Sequence, residues 1–452
     1  MEMLTSYNPS TGQQVGQVEI TPVEMIDVVV ARSKTAQSQW AEKALSDRLD
    51  ALSAAGETLR QRAPEIATLL TKEMGKPLAD AHSELRWITS AFDNEIEELR
   101  EALKPEIITH DERKTTVFRD PFGIAVCISP WNFPLGMPHQ QVLPALAAGN
   151  SVLLKPSEET PLTAQAYADC LLEHLPKDVL QVIHGNEQQG KALVAAEIDL
   201  VVFTGSKNAG VHILGEASKG LKRVILELGG KDPLVVLDGS DLKSAAKFAA
   251  LNSFRNAGQV CVSTERIYVH DSVHDAFVDE LVEVTKQMHV GDGLQDGIRI
   301  GPMISARQKA HVQEQVTQAV ASGAQLHWSE GTDHGQFLGP MILTECSHDM
   351  AIAYDETFGP VACVYRVDDD AQAVQLANDT PYGLGAVVFG PAQRARDVAR
   401  KMTAGMIGIN QGLASAGSTP WVGARHSGYG FHSGIEGHRQ FAQVRVMSES
   451  IV

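Results

Sequence analysis

Short, wholly apolar runs alternate with helical stretches through most of this chain. Gly123-Ile124-Ala125-Val126-Cys127-Ile128 stops at Pro130, helical spacing resumes at Leu135, and Ser151-Val152-Leu153-Leu154-Lys155 follows. Residues 163–175 read as helix, 179–183 as strand, then Leu200-Val201-Val202-Phe203 and Arg223-Val224-Ile225-Leu226 each follow a helix. Runs of four or five apolar residues without polar alternation are strands covered on both faces, which predicts a parallel sheet. Ligands of such sheets sit beyond the carboxyl ends of the strands, so the turns after Leu154 and Phe203 are where a cofactor is expected.

A second set of the same kind begins at Asp232: 234–237, 266–269, 362–365, 384–389 and Met406–Ile409, with helices between. It predicts a second α/β unit. Ahead of the first set, Asn8-Pro9-Ser10-Thr11-Gly12 is a turn, 15–20 a short strand, and 22–94 helical, punctuated at Pro64 and Gly75-Lys76-Pro77. Residues 106–120 lack helical period and carry Thr115-Thr116-Val117-Phe118, which reads as an exposed strand. The tail, 441–447, alternates like a strand and needs a partner, expected at a subunit interface with 112–119 as the candidate.

Composition narrows this picture. At 452 residues two or three domains are expected. A formal charge of −18 argues against nucleic acid or an anionic membrane as a partner, since both need a basic face. The five cysteines are odd in number and scattered, which reads as a reducing compartment rather than a disulfide framework. No apolar run approaches the ~18 residues of a membrane helix, and the start lacks a signal-peptide pattern. A cytoplasmic protein is expected.

Several motifs carry candidate chemistry. Gly185-Asn186-Glu187-Gln188-Gln189-Gly190-Lys191-Ala192 has P-loop spacing, but Ala192 stands where Mg²⁺ needs a hydroxyl, so an NTPase is rejected. In Phe203-Thr204-Gly205-Ser206-Lys207-Asn208-Ala209-Gly210, Gly205 permits a tight turn and Ser206 opens a helix whose amides can hold an anion. Lys155-Pro156-Ser157-Glu158-Glu159-Thr160-Pro161 is a second strand-end turn. Pro130-Trp131-Asn132-Phe133-Pro134 clamps an amide that suits a developing oxyanion. Glu227-Leu228-Gly229-Gly230 offers a carboxylate that its glycines leave free to swing as a general base. Cys261, in Phe254-Arg255-Asn256-Ala257-Gly258-Gln259-Val260-Cys261-Val262-Ser263, is the candidate nucleophile. Each also has a structural reading: helix cap, rigid turn, exposed acid or packed thiol. Histidines lack HExxH spacing and cysteines lack CxxC, so no metal is expected.

Taken in order, these motifs resemble those of the aldehyde dehydrogenase superfamily, together with Glu356-Thr357-Phe358-Gly359-Pro360 and Pro420-Trp421-Val422-Gly423-Ala424-Arg425-His426-Ser427-Gly428-Tyr429-Gly430. The resemblance spans nearly the whole chain, with a shorter N-terminus than usual. It implies a Rossmann-like cofactor domain (1–102 and 122–229), a second α/β catalytic domain (230–430) and a small β oligomerisation element (103–121 and 431–452) in a homodimer or homotetramer. It implies that the Cys261 thiolate attacks an aldehyde, that Asn132 and the Cys261 amide hold the oxyanion, and that Glu227 activates water to release the acid. Trp131, Lys155, Ser157, Glu158, Gly205, Ser206, Leu228, Glu356 and Phe358 would bind the cofactor. Glu158 on the ribose disfavours a 2′-phosphate, so NAD is expected, with NADP the alternative because Lys155 is near.

Specificity follows from departures within this resemblance. Succinate-semialdehyde dehydrogenases grip the far carboxylate with two arginines; Arg255 matches one, and Gln140 stands at the other, so with half the clamp a less polar aldehyde is the main expectation and a semialdehyde such as succinate semialdehyde the alternative. Trp421 is placed to line the substrate tunnel and Gly136 to leave room opposite. Gln141 replaces a common lysine and His432 a common glutamate, which predicts an altered pH dependence. Two rivals are a CoA-acylating enzyme, against which Glu227 argues, and a catalytically silent member, against which Cys261, Asn132 and Glu227 together argue.

Overall fold

The computed structural model describes residues 2–413 and 417–451. Three sheets organise them. The first has six strands in the order Gly428–Tyr429, Arg223–Glu227, Leu200–Thr204, Ile124–Ile128, Ser151–Lys155, Leu180–Val182. All but the first run parallel. The chain starts in the middle, at Ile124–Ile128, winds outward one way and then returns to wind the other. Its switch point therefore falls between the ends of Ile124–Ile128 and Leu200–Thr204, where a crevice opens. Cys127, Val152, Leu153, Leu154 and Val201 are fully buried, as the unbroken apolar runs require.

The second sheet has seven strands, ordered Gln325–Ser329, Met341–Thr344, Val361–Val367, Thr264–His270, Asp232–Val236, Gly385–Phe389, Met406–Ile409. The first two strands escaped the sequence reading: Gln325–Ser329 sits at the edge, pairs antiparallel and is largely exposed, so it lacks an apolar run. The N-terminal strand of the sequence reading is Gln14–Glu19, and Met3–Tyr7 pairs with it.

Two expectations change. Pro64 does not punctuate a helix; Leu45–Met74 runs through it. Losing one helical hydrogen bond is outweighed by a face on which Leu59, Ile66 and Ala67 are at most 1% exposed. The exposed strand read at 115–118 is Arg113–Pro121, in a hairpin with Glu106–His110, and the tail strand Ala442–Ser450 pairs antiparallel with Arg113–Pro121 of the same chain. The tail thus pairs with the expected 112–119 segment, but within its own chain. Val444, Val446, Ile107 and Ile108 remain exposed on this sheet.

Candidate active site

The Cys261 loop is built on an unusual backbone. Asn256, Ala257 and Gly258 all have left-handed φ (53°, 55° and 71°), a conformation costly for the first two. Their surroundings hold them there. A Cβ on Gly258 would lie 2.0 Å from the Gly359 carbonyl oxygen, so only glycine fits. Gln259 donates to the Asn256 and Pro302 carbonyls and its side-chain oxygen accepts from the Ile304 amide. Asn256 donates to the carbonyls of Asn132 and Gln259. The loop carrying Cys261 is thereby locked to the loop carrying Asn132.

Asn132 is locked from the other side as well. Its Nδ2 donates to Gln259 O at 3.0 Å, leaving one amide hydrogen for another acceptor. Its carbonyl accepts from Lys76 Nζ at 2.8 Å. Lys76 in turn pairs with Glu84 at 2.5 Å, both side chains no more than 2% exposed, and Glu84 accepts the amides of Leu135 and Gly136. Sequence reasoning took Gly75-Lys76-Pro77 for punctuation only. The lysine in that turn was a visible signal; Glu84, one acid among many on a helix, gave none.

Glu227 ends its strand buried, at 8% exposure. The glycines after it do not serve to let it swing. A Cβ on Gly229 would meet the Glu356 carboxylate at 2.3 Å, and one on Gly230 the Cys261 carbonyl at 2.5 Å. They permit close approach of three segments. Glu227 is instead tethered: His432 Nε2 lies 2.8 Å from its Oε1. The pair is at ion-pair distance but out of hydrogen-bond alignment, so Oε1 is buried without an aligned donor among the described residues. Gln141 is occupied elsewhere, donating to Ile128 O and Thr204 Oγ1.

The remaining candidates surround the same space. Lys155 is buried and donates to the Pro156 carbonyl, with Glu158 at 3.8 Å; burial draws the lysine pKa down while Glu158 draws it up. The Ser157 hydroxyl accepts the Glu159 amide. Ser206 caps the helix Lys207–Lys219 by accepting from the Ala209 amide. Glu356 accepts the Gly230 amide. Its carboxyl touches the cavity but is ringed by protein elsewhere, and burial, aided by the charge of Glu265, pushes it up to about 8. Phe358 meets Trp131 edge-on at 5.5 Å. A buried Lys231–Glu265 pair holds this loop through the amides of Thr357 and Phe358.

All fifteen candidates line one cavity of about 640 Å³: Cys261, Glu227, Asn132, Trp131, Lys155, Ser157, Glu158, Gly205, Ser206, Leu228, Glu356, Phe358, Arg255, Gln140 and Trp421. Arg307, Gln308, His311 and Trp87 line it too and were not anticipated. Trp87 also overturns one expectation. A Cβ on Gly136 would lie 2.5 Å from the Trp87 ring, so the space left by this glycine is filled by the indole. The P-loop-like segment is a helix start in which Asn186 and Gln189 form a capping box, a structural use of the same spacing.

The Cys261 thiol is pushed up, first by burial and then by the charges of Glu227, Asp232 and Glu356, with Arg255 opposing. At rest it is a thiol and needs a base. The far end of the cavity holds Arg255, a cation without a hydrogen bond or ion pair among the described residues. It is exposed to water in the cavity while protein crowds it, so burial lowers its pKa and Cys261 and Asp80 raise it. Among the described residues, no group of three or more His, Cys, Asp or Glu could hold a metal ion, and no helix is long and apolar enough to cross a membrane.

A switch-point crevice that opens onto a thiol, an amide and a carboxylate, with a helix N-terminus at its rim, defines an oxidoreductase that uses a dinucleotide. The chain belongs to the aldehyde dehydrogenase family, whose model, "Aldehyde dehydrogenase family", matches residues 1–447. It is 34% identical over 454 residues to the glutarate-semialdehyde dehydrogenase of Pseudomonas aeruginosa, covering 97% of this chain and 92% of that protein. It is 32% identical to the NADP-dependent succinate-semialdehyde dehydrogenase of Escherichia coli, covering 99% and 94%. The crystal structure of an aldehyde dehydrogenase from Brucella melitensis biovar abortus superposes with a TM-score of 0.95 at 33% identity, covering 99% and 94%. The protein is therefore an oxidoreductase acting on aldehydes with NAD or NADP.

Proposed function

We propose that the chain oxidises an aldehyde bearing an anionic far end to its acid, with Cys261 as nucleophile. The carrying observation is Arg255, without a hydrogen bond or ion pair among the described residues, in the cavity that Cys261, Asn132 and Glu227 also line. Glu227 takes the thiol proton as the sulfur–carbon bond forms, and the free Asn132 amide hydrogen with the Cys261 N–H stabilises the oxyanion. When bound, the nicotinamide supplies the hydride acceptor that leaves a thioester. Glu227 then takes a proton from water; the hydroxide adds, and the carbon–sulfur bond breaks to release the acid.

Lys155, Ser157 and Glu158 are read as holding the adenosine ribose, Gly205 and Ser206 the pyrophosphate, and Trp131, Leu228, Glu356 and Phe358 the nicotinamide half. Two features support a fit: a 13-residue helix begins at the rim with Ser206 as its cap, and Gly229 leaves the space that the Glu356 carboxylate occupies. Glu158, 44% exposed beside Lys155, supports NAD over NADP. Arg255, Gln140 and Trp421 are assigned to the substrate. The domain limits stay as read from the sequence, and the exposed apolar residues of the three-stranded sheet support its use in a homodimer or homotetramer. Five free cysteines and a charge of −18 support a cytoplasmic location.

An aldehyde panel tests the reading: NADH formation from succinate and glutarate semialdehydes, against butanal and pentanal, with and without CoA. A preference for the anionic pair without CoA is expected. Strict dependence on CoA overturns the hydrolytic reading, and Cys261→Ser retaining activity removes the nucleophile.

A further inference from the structure

The contact behind Glu227 has a second half. His432 Nδ1 lies 2.7 Å from Ser433 Oγ, which also accepts from Gln140 Nε2 at 3.3 Å. The imidazole is 3% exposed and bridges a carboxylate and a hydroxyl. Serine can accept from Nδ1–H or donate to a bare Nδ1, so the ring can present Nε2 either as a lone pair or as a donor. The backbone holds the ring in place: Trp421 and His432 exchange two backbone hydrogen bonds, and Ser433 has a left-handed φ of 62°.

We propose that His432 is a positioning residue that receives the proton from Glu227. The proposal rests on the reading of Glu227 as the base. Water loses a proton to Glu227, its oxygen bonds to the thioester carbon, and the carbon–sulfur electrons return to Cys261. The O–H bond on Glu227 then breaks as the N–H bond forms on His432 Nε2. The imidazolium keeps its Nδ1–H on Ser433 and loses its extra proton to solvent after the acid departs. A short rotation of the carboxylate or ring completes the alignment that the resting structure lacks. A ring that already carries both protons pairs with the Glu227 carboxylate and cannot accept.

Other charges face this ring. Glu95, from the helix Leu78–Leu103, stands in the fields of His139, His438 and His432, with His139 at 2.8 Å. Glu98 lies 3.6 Å from His438.

The experiment separates hydride transfer from hydrolysis. NADH formation from succinate semialdehyde and from butanal is followed through the burst and the steady state between pH 4.5 and 9. In the unaltered protein, the steady-state acid limb is expected near the imidazole range; a limb in the carboxylate range overturns the proposal. His432→Gln is expected to keep a burst near one NADH per site, to lower the steady-state rate about tenfold, and to move the limb down by about two pH units, the gap between ordinary imidazole and carboxylate values. His432→Glu places two carboxylates to share a proton, so its limb moves up relative to His432→Gln. Ser433→Ala keeps the ring without its Nδ1 partner, and its limb moves down by less than that of His432→Gln. A slower rate with an unmoved limb in these variants marks a purely structural role and overturns the proposal. Glu227→Gln decides the underlying reading separately: if it retains steady-state hydrolysis, Glu227 is not the base.

Discussion

Arg255→Ala is the sharpest test of substrate class. In the protein this guanidinium has no hydrogen bond or ion pair among the described residues, so its removal breaks no internal bond. The loss falls on a ligand in the cavity that it lines. A charge-assisted hydrogen bond contributes about 1.5–3 kcal/mol, which at 1.36 kcal/mol per decade is about 10- to 150-fold in kcat/KM. The upper half of that range is expected. Asp80 stands in the field of Arg255, and removing the cation leaves that carboxylate to repel an anionic substrate. Steady-state kinetics with succinate and glutarate semialdehydes should show the loss, while butanal and pentanal change less than twofold. The mirror variant, Gln140→Arg, supplies a second cation in place of the amide that now donates to Ser433, and should raise kcat/KM for the anionic pair alone. An equal loss for charged and neutral aldehydes would refute the reasoning, because Arg255 would then be shaping the Cys261 loop rather than binding a charge.

Three further outcomes are expected. Lys76→Met leaves Glu84 buried without its cation and should destabilise by about 3–5 kcal/mol, read as a lower Tm. Lys76→Met with Glu84→Gln should recover much of this, whereas an additive double variant would show that the pair is not coupled. Gly258→Ala places a Cβ 2.0 Å from the Gly359 carbonyl oxygen on a φ of +71°; a Tm drop with loss of Cys261 alkylation by iodoacetamide is expected, and a variant like the parent in both would contradict the packing. Glu356 in the fold is pushed up to about 8, while in the unfolded chain it titrates near the ordinary 4.5. Between these values the fold binds the extra proton, so this group's contribution to stability falls as pH rises from about 4.5 to 8. Glu356→Gln should flatten that slope in Tm against pH; an unchanged slope would assign it to other groups.

How much of this was legible in the sequence depended on the range of the contact. The sheet strands announced themselves because both faces are covered, so Ser151–Lys155 and Leu200–Thr204 had to be apolar end to end. Gln325–Ser329 did not, since an edge strand with wet faces needs no such run. Most of the candidate residues fall around one cavity because they sit at the end of a strand or in a turn whose chemistry is local; Gln140, inside the helix Gly136–Ala147, does not. What stayed hidden was each contact that joins distant segments. Lys76 and Glu84 grip the Asn132 loop, Trp87 fills the space over Gly136, and the Gly229–Gly230 pair is there for close approach.

The two departures from the family pattern, Gln141 and His432, looked alike in the sequence and separate in space. Gln141 is spent on Ile128 and Thr204, binding the ends of two neighbouring strands of the first sheet, and a side-chain amide there cannot pass a proton. His432 reaches Glu227 at 2.8 Å. A protein in which the first position is closed to proton transfer, and the second is occupied by an imidazole, concentrates its acid–base behaviour at one contact. That contact lies behind the proposed base rather than in the substrate end of the cavity. Substitutions at Arg255 should therefore change which aldehyde is oxidised and leave the position of the acid limb alone. Substitutions at His432 should do the reverse, shifting the limb equally for charged and neutral aldehydes.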